Sequence, residues 1–294
     1  METPMQQFLD FLENEKRFSR HTLLSYRNDL EQLSAYLKSA YEIDDIARAD
    51  HFQVRSWIVE MLDEGISPRT VNRKITSLKS FFRFLLRQKT VSVNPMLKIL
   101  SPKTAKRLPV FVEQQGMDNL LEQMEFEPTF AGMQDKLILE VFYGTGMRLA
   151  ELIHIKPPDI DLNKMTIKVL GKRNKERIVP FNQTLRDSLV RFISQREKEG
   201  YGNAVFFFTK DQKKLDRKFV YRMVRAYLSK VTTVNKKSPH VLRHTFATHM
   251  LNNGADLNAI KELLGHASLS ATQVYTHNTI EKLKNIHQNA HPKA

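Results

Sequence analysis

Apolar residues recur at helical spacing through the first hundred positions. Phe8, Phe11 and Leu12 open one stripe, and Leu23, Leu24, Leu30, Leu33 and Leu37 continue another at intervals that line one helix face. Trp57, Ile58, Met61 and Leu62 form a third, which ends near Gly65. Ser67-Pro-Arg-Thr70 places a proline just inside a helix start. The helix beyond it divides by face: Val71, Ile75, Leu78, Phe82 and Leu85 are expected inside, and Arg69, Asn72, Arg73, Lys79 and Arg83 largely outside. Near residue 100 the pattern breaks at Asn94-Pro95 and again over 101–109, where prolines alternate with basic residues and predict a linker.

The second half mixes two periods. Lys136–Tyr143 predicts an apolar helix closed by Gly144 and Gly146. Met165–Leu170 alternates and is rich in β-branched residues, Arg177–Val179 resembles a returning strand, and Gly171–Glu176 between them reads as a hairpin loop. Val205–Thr209 reads as a third short strand. Helical spacing returns at Phe219–Leu228, His240–Leu251 and Asn258–Leu264, with Gly265 as a C-cap. The expected fold is mainly α with a small β-sheet in the C-terminal domain. Residues 1–100 form a helical domain, 101–109 the linker and 110–294 an α/β domain.

Composition narrows the partners. With 41% hydrophobic and 27% charged residues in 294, the chain has an ordinary globular balance, which argues against gross disorder. Its formal net charge of +14 is unevenly spread. Residues 1–105 hold 16 Lys and Arg against 13 acids, while 106–294 hold 30 against 19, so the excess accompanies the second half. That asymmetry points to a polyanion. The absence of cysteine excludes disulfides, thiolate zinc sites and a cysteine nucleophile. The amino terminus lacks a signal-peptide pattern, and no apolar run approaches the ~20 residues of a bilayer span. No membrane association and a cytoplasmic location are expected.

The most informative chemistry lies between His240 and Tyr275. His240 and Arg243 are three apart and share a helix face. His266 follows the C-cap glycine, Tyr275 comes nine residues later, and Arg148 upstream completes a cationic set. Taken singly, each has an ordinary reading: Arg148 in a surface salt bridge, Lys172 as one base among several in a polar loop, His266 as a capping histidine, Tyr275 as helix packing. Together they suit attack on a phosphodiester without a metal. Such a catalyst must neutralise the non-bridging oxygens, a task for the guanidinium forks of Arg148 and Arg243. Tyr275 is then the nucleophile, His240 assists it, Lys172 protonates the leaving oxygen, and His266 binds the phosphate.

Five motifs carry a resemblance to a known family. They are Gly-Thr-Gly-Met-Arg-Leu-Ala-Glu-Leu (144–152), Gly-Lys-Arg-Asn-Lys-Glu-Arg-Ile-Val-Pro (171–180), His-Val-Leu-Arg-His-Thr-Phe-Ala-Thr-His (240–249), Leu-Leu-Gly-His (263–266) and Thr-Gln-Val-Tyr-Thr-His (272–277). Together they resemble the tyrosine recombinases, most closely the bacterial Xer type, and Phe18–Leu30 is similar to the opening of that family's helical core-binding domain. The resemblance implies a two-domain, C-shaped clamp around duplex DNA, with Arg69, Asn72, Arg73, Lys79 and Arg83 as DNA-facing candidates. It implies the catalytic set Arg148, Lys172, His240, Arg243, His266 and Tyr275, a 3′-phosphotyrosyl intermediate and no cofactor. It also implies a homo- or hetero-tetramer on two DNA sites, a paralogous recombinase as partner, a septal DNA translocase as activator, and chromosome dimer resolution at cell division near the nucleoid. The tail, residues 278–294, is expected to pack on a neighbouring subunit. Arg173 stands where the family often has glycine, and Met117–Gln134 matches only loosely, so no DNA contact is carried into that segment. The alternatives are a mobile-element integrase or type IB topoisomerase with the same chemistry, and a DNA-binding regulator that never cuts.

Overall fold

Two compact units, Met1–Arg107 and Leu108–Ala294, make up the computed structural model, which describes residues 2–105, 110–171, 176–202, 205–265 and 277–293. Of the expected linker, residues 106–109 lie outside those described.

The first unit is helical. Helix α1 (Pro4–Asp10) runs on through one wider turn, Phe11–Glu15, and is followed by α2 (Arg20–Tyr41), α3 (His51–Asp63) and α4 (Pro68–Arg87). Side chains of Ser19, Asp50 and Ser67 cap α2, α3 and α4 by accepting bonds from their first-turn amides. Phe8, Leu30, Leu33, Val54, Trp57, Val71, Leu78 and Phe82 close the core. The expected inner face of α4 is buried throughout, but it is wider than expected, because Lys74, Ser77, Phe81 and Phe84 are buried too. Of the five polar residues expected outside, Arg69, Arg73 and Arg83 are exposed, whereas Asn72 and Lys79 are half-buried. Asn72 turns back so that its Nδ2 donates to the carbonyl of Pro102 at 2.9 Å. In α2, Leu24 is exposed, whereas its neighbour Leu23 is half-buried against the core.

Lys74 is buried by compensation. Its ammonium lies 3.5 Å from the carboxylate of Asp29, bonds Gln32 and sits over the Trp57 ring. Asp29 in turn accepts from Ser77 at 2.7 Å and from Arg73, whose guanidinium also reaches Ser25 at 2.7 Å. The network ties α2 to α4 and holds Arg73 at the surface.

The second unit surrounds α6 (Phe130–Thr145). Before it come α5 (Gln114–Asp118) and a wider turn to Gln123; after it come the short α7 (Leu149–Leu152) and a three-stranded antiparallel sheet. The strands are β1 (Ile160–Asp161), β2 (Thr166–Leu170) and β3 (Glu176–Pro180), in the order β1-β2-β3. Ile167 opposes Val179, and Val169 opposes Arg177. Then follow α8 (Gln183–Lys198), α9 (Arg217–Val231), α10 (Pro239–Asn252), α11 (Leu257–Leu264) and α12 (His277–Ala290). The strand expected at 205–209 is not formed: Phe208 makes one isolated bridge to Lys214, while Phe206 and Phe207 are buried in the core.

Two glycines fix the turns around the site. Gly146 ends α6 at φ 60°, and a Cβ there would come within 2.5 Å of Phe246. Gly265 ends α11 at φ 64°, as expected of a C-cap glycine. Within the single chain the tail packs on its own unit. His287 Nε2 lies 2.6 Å from the carbonyl of Gly144, and His291 Nε2 lies 3.1 Å from that of Tyr143. Lys293 reaches Asp118 and Glu122.

Candidate active site

Arg148 is the N-cap of α7, and the residue three further on, Glu151, holds it twice. The backbone N–H of Arg148 donates to Oε2 of Glu151 at 2.7 Å, and Nη1 donates to Oε1 at 2.9 Å. Nη2 donates to the carbonyl of Gly265 at 3.1 Å. The side chain remains about a third exposed, at 35%, so the guanidinium presents an edge to solvent. Glu151, only 2% exposed at its side chain, is gripped from the other side by the fork of Arg177, which bonds both carboxylate oxygens. Burial pushes the Glu151 carboxyl up, but Arg177, and after it Arg148, outweigh burial and hold it below the usual carboxylate range.

Arg243 enters from α10. It is buried, with Nη1 donating to the carbonyl of Gly146 at 2.7 Å and Nη2 to that of Leu264 at 2.6 Å. The turns imposed by Gly146 and Gly265 thus present three carbonyls, those of Gly146, Leu264 and Gly265, to two guanidinium groups. Burial, followed by the charges of Arg148 and Arg177, lowers the pKa of Arg243 to about 9, which leaves it protonated at neutral pH. Two guanidinium groups therefore bond one carboxylate, and a third, that of Arg243, lies within reach of its charge. The excess of positive charge is held in place by protein bonds before any ligand arrives, and such a preorganised site suits an anion.

His240 lies in the first turn of α10 and is exposed, while Arg243, on the same helix, turns inward. His244, one turn on, is also exposed; partial burial, then His240 and Arg243, lower its pKa. Lys172, His266 and Tyr275 lie outside the described residues. The structure thus brings Arg148 and Arg243 together and puts His240 on the helix that carries Arg243.

Two residues of the site, Glu151 and Arg177, carry no chemical signal of their own in the sequence. Glu151 was visible only as part of a motif, although its spacing from Arg148 is that of a capping pair. Arg177 was read as an ordinary strand residue. Its signal lay in the alternation of β3, where 177 and 179 share the core-facing side of the strand, and an arginine there requires a buried carboxylate. The sequence reading also assigned no cation of α9, yet Arg217, Lys218, Arg222 and Arg225 are exposed along it. Leu149, Asp216, Arg217, Lys218, Tyr221 and Arg222 line a groove of about 540 Å³. On the first unit, Arg69, Thr70, Asn72, Arg73 and Thr76 line a groove of about 480 Å³.

The pattern of the phage integrase family matches residues 111–282, and that of the phage integrase N-terminal SAM-like domain matches residues 5–89. The chain belongs to the phage integrase family. Within it, the chain is 38% identical over 294 residues to a Staphylococcus carnosus tyrosine recombinase XerC, covering 98% of this chain and 97% of that protein. A tyrosine recombinase XerC of Chlorobaculum parvum is 37% identical over 318 residues, covering 99% of this chain and 94% of the relative. Among solved structures, a XerH site-specific recombinase bound to a palindromic difH substrate superimposes with a TM-score of 0.72, covering 98% of this chain and 82% of that one. At 19% identity that likeness is one of fold. The mainly helical fold with one small sheet, expected from the sequence, is thus the recombinase fold.

Proposed function

We propose that this protein is a Xer-type site-specific recombinase acting on duplex DNA, and that the scissile phosphate binds to Arg148 and Arg243 in the cage backed by Glu151 and Arg177. The cage carries the reading because it supplies what an unassisted phosphodiester lacks, fixed positive charge at its non-bridging oxygens. Full-length identity to XerC proteins supports the same reaction, strand breakage and rejoining.

In this reading Tyr275 attacks phosphorus, its phenol proton passing to His240 or to water. A tyrosyl–phosphate bond forms at the 3′ side as the bond to the 5′ oxygen breaks, and Lys172 gives that oxygen its proton. The diester energy is conserved in the link, so a 5′ hydroxyl from a second strand can reverse the step and rejoin. His266 supplies a further donor to the phosphate. Arg69, Arg73 and Arg83, with the half-buried Asn72 and Lys79, contact DNA from α4, and Arg217, Lys218 and Arg222 add phosphate contacts from α9. Both units contact the DNA, and the enzyme works as a tetramer on two sites, with a paralogous recombinase and a septal DNA translocase as partners in resolving chromosome dimers. No described helix is long and apolar enough to cross a membrane, and the place of action is the nucleoid in the cytoplasm.

The deciding experiment uses nicked duplexes carrying chromosomal recombination sites, resolved on a denaturing gel. The wild type is expected to give a covalent protein–DNA band, and Tyr275→Phe none, with DNA affinity unchanged. Cleavage persisting in Tyr275→Phe would remove that residue as nucleophile. Binding without any covalent band in the wild type, even with cell extract added, would favour a regulator that never cuts.

A further inference from the structure

Arg177 lies at the start of β3 on the strand's buried side, opposite Val169, with 6% of its surface exposed. It touches the reacting centre only through other residues, and it does so by two routes. The first runs through Glu151. Both terminal nitrogens of Arg177 bond the carboxylate, and the same two oxygens accept from the backbone N–H and the side chain of Arg148. The second runs through Gly265. A Cβ at that glycine would meet Cδ of Arg177 at 3.0 Å and Nε at 3.1 Å, so the arginine stem is the surface against which this turn rests. The carbonyl of the same glycine accepts from Nη2 of Arg148, and the next residue in the chain is His266.

Among the described residues nothing else explains an arginine here. Its Nε is buried with no hydrogen-bond partner among them, while the fork stays on Glu151. A side chain present only to fill the core of a small sheet would be apolar, as Ile167, Val169 and Val179 are.

We propose that Arg177 is a positioning residue for strand cleavage: through Glu151 it sets the direction of the Arg148 guanidinium, and through Gly265 it supports the turn whose carbonyl accepts from Arg148. The inference rests on the recombinase reading above, with Arg148 at the scissile phosphate. Lysine at this position keeps the charge but has no planar fork, so it cannot bridge both oxygens of Glu151 while packing under Gly265. Arg148 would then keep its charge and lose its aim.

The test measures single-turnover covalent complex formation on a nicked duplex with either a normal scissile phosphodiester or a methylphosphonate there. In the methylphosphonate a methyl group replaces one non-bridging oxygen, so less charge needs neutralising. Arg177→Lys is expected to cleave the phosphodiester slower by on the order of 10²-fold, the loss that small misplacement of a catalytic group produces. DNA affinity should be unchanged, the defect should shrink on the methylphosphonate, and Arg177→Met should fall below Arg177→Lys. Equal wild-type and Arg177→Lys rates overturn the inference. A defect of the same size on both substrates also overturns it, since loss of folded protein would produce that. If Arg177→Lys does not fold, the paired change Glu151→Gln with Arg177→Met removes both charges together, and wild-type cleavage by that folded variant overturns the inference as well. No covalent complex from the wild type on any duplex would instead bring down the recombinase reading, and this inference with it.

Discussion

At the scale of single residues, Arg148 and Arg243 differ in what they contribute, although both were read from sequence as phosphate ligands. Arg243 has both terminal nitrogens on main-chain carbonyls, so it shapes the turns after α6 and α11 as well as adding charge. Arg148 is the more accessible of the two and keeps an exposed edge. Arg148→Ala should therefore spare the fold and DNA affinity but slow covalent complex formation on the order of 10²–10³-fold, as loss of one anion-stabilising donor does. A near-normal single-turnover rate would remove Arg148 from the phosphate site. Both arginines were legible in the sequence because they sit in specific motifs with helical spacing. Glu151 and Arg177 were not, because their importance lies in facing each other across α7 and β3, and such a pairing leaves no mark in either local pattern. The network of Asp29, Arg73 and Lys74 was hidden for the same reason. Nothing along α4 distinguishes a lysine that will be buried from its exposed neighbours.

At the scale of elements, those with a local signature were legible and those set by tertiary contacts were not. The starts and stops of α4 and α11 follow from Ser67-Pro68 and Gly265, residues that act on their own backbone. Helix α8 was overlooked, since Leu185, Leu189 and Phe192 are spaced among charged residues and gain meaning only once packed on α6. Residues 205–209 were misread as a strand because three successive phenylalanines favour one locally, yet here they are core anchors that lack a partner strand. The docking of α12 within its own unit makes a prediction. Burial holds His287 at a pKa of about 4, and burial together with the neighbouring His287 holds His291 at about 3. Both are neutral when docked, while an unfolded or undocked histidine titrates near 6.5. Protons thus favour the undocked state. The contribution is fully present above pH 6.5 and declines as pH falls from there towards 4, by roughly 1.4 kcal/mol per histidine for each pH unit well below 6.5. Thermal melts from pH 7 to pH 5 should show a falling midpoint. His287→Gln, whose amide can still donate to the Gly144 carbonyl, should flatten that slope. A slope equal to the wild type's would show that the dock does not depend on a neutral His287.

At the scale of the whole molecule, charge distribution is the property read most directly from sequence and the one with the clearest consequence. The net +14 is concentrated in residues 106–294, and the structure lays part of it along the exposed face of α9, in addition to the arginine cage. These two groups of cations answer to different measurements. Cage residues are bonded internally, so their loss should alter reaction rate more than affinity. The α9 residues are solvated, and their neutralisation of phosphates releases counterions, so their loss should alter affinity through its salt dependence. Each phosphate contact adds a slope of about −0.9 to log K against log salt on duplex DNA. Arg217→Ala and Arg222→Ala should each reduce the slope by about 1 and weaken binding similarly on matched and unrelated duplexes, because phosphates carry no sequence. Titrations by fluorescence anisotropy at several salt concentrations would resolve this. An unchanged slope in both variants would take α9 off the DNA, and the excess charge of the second half would then need another surface to act through.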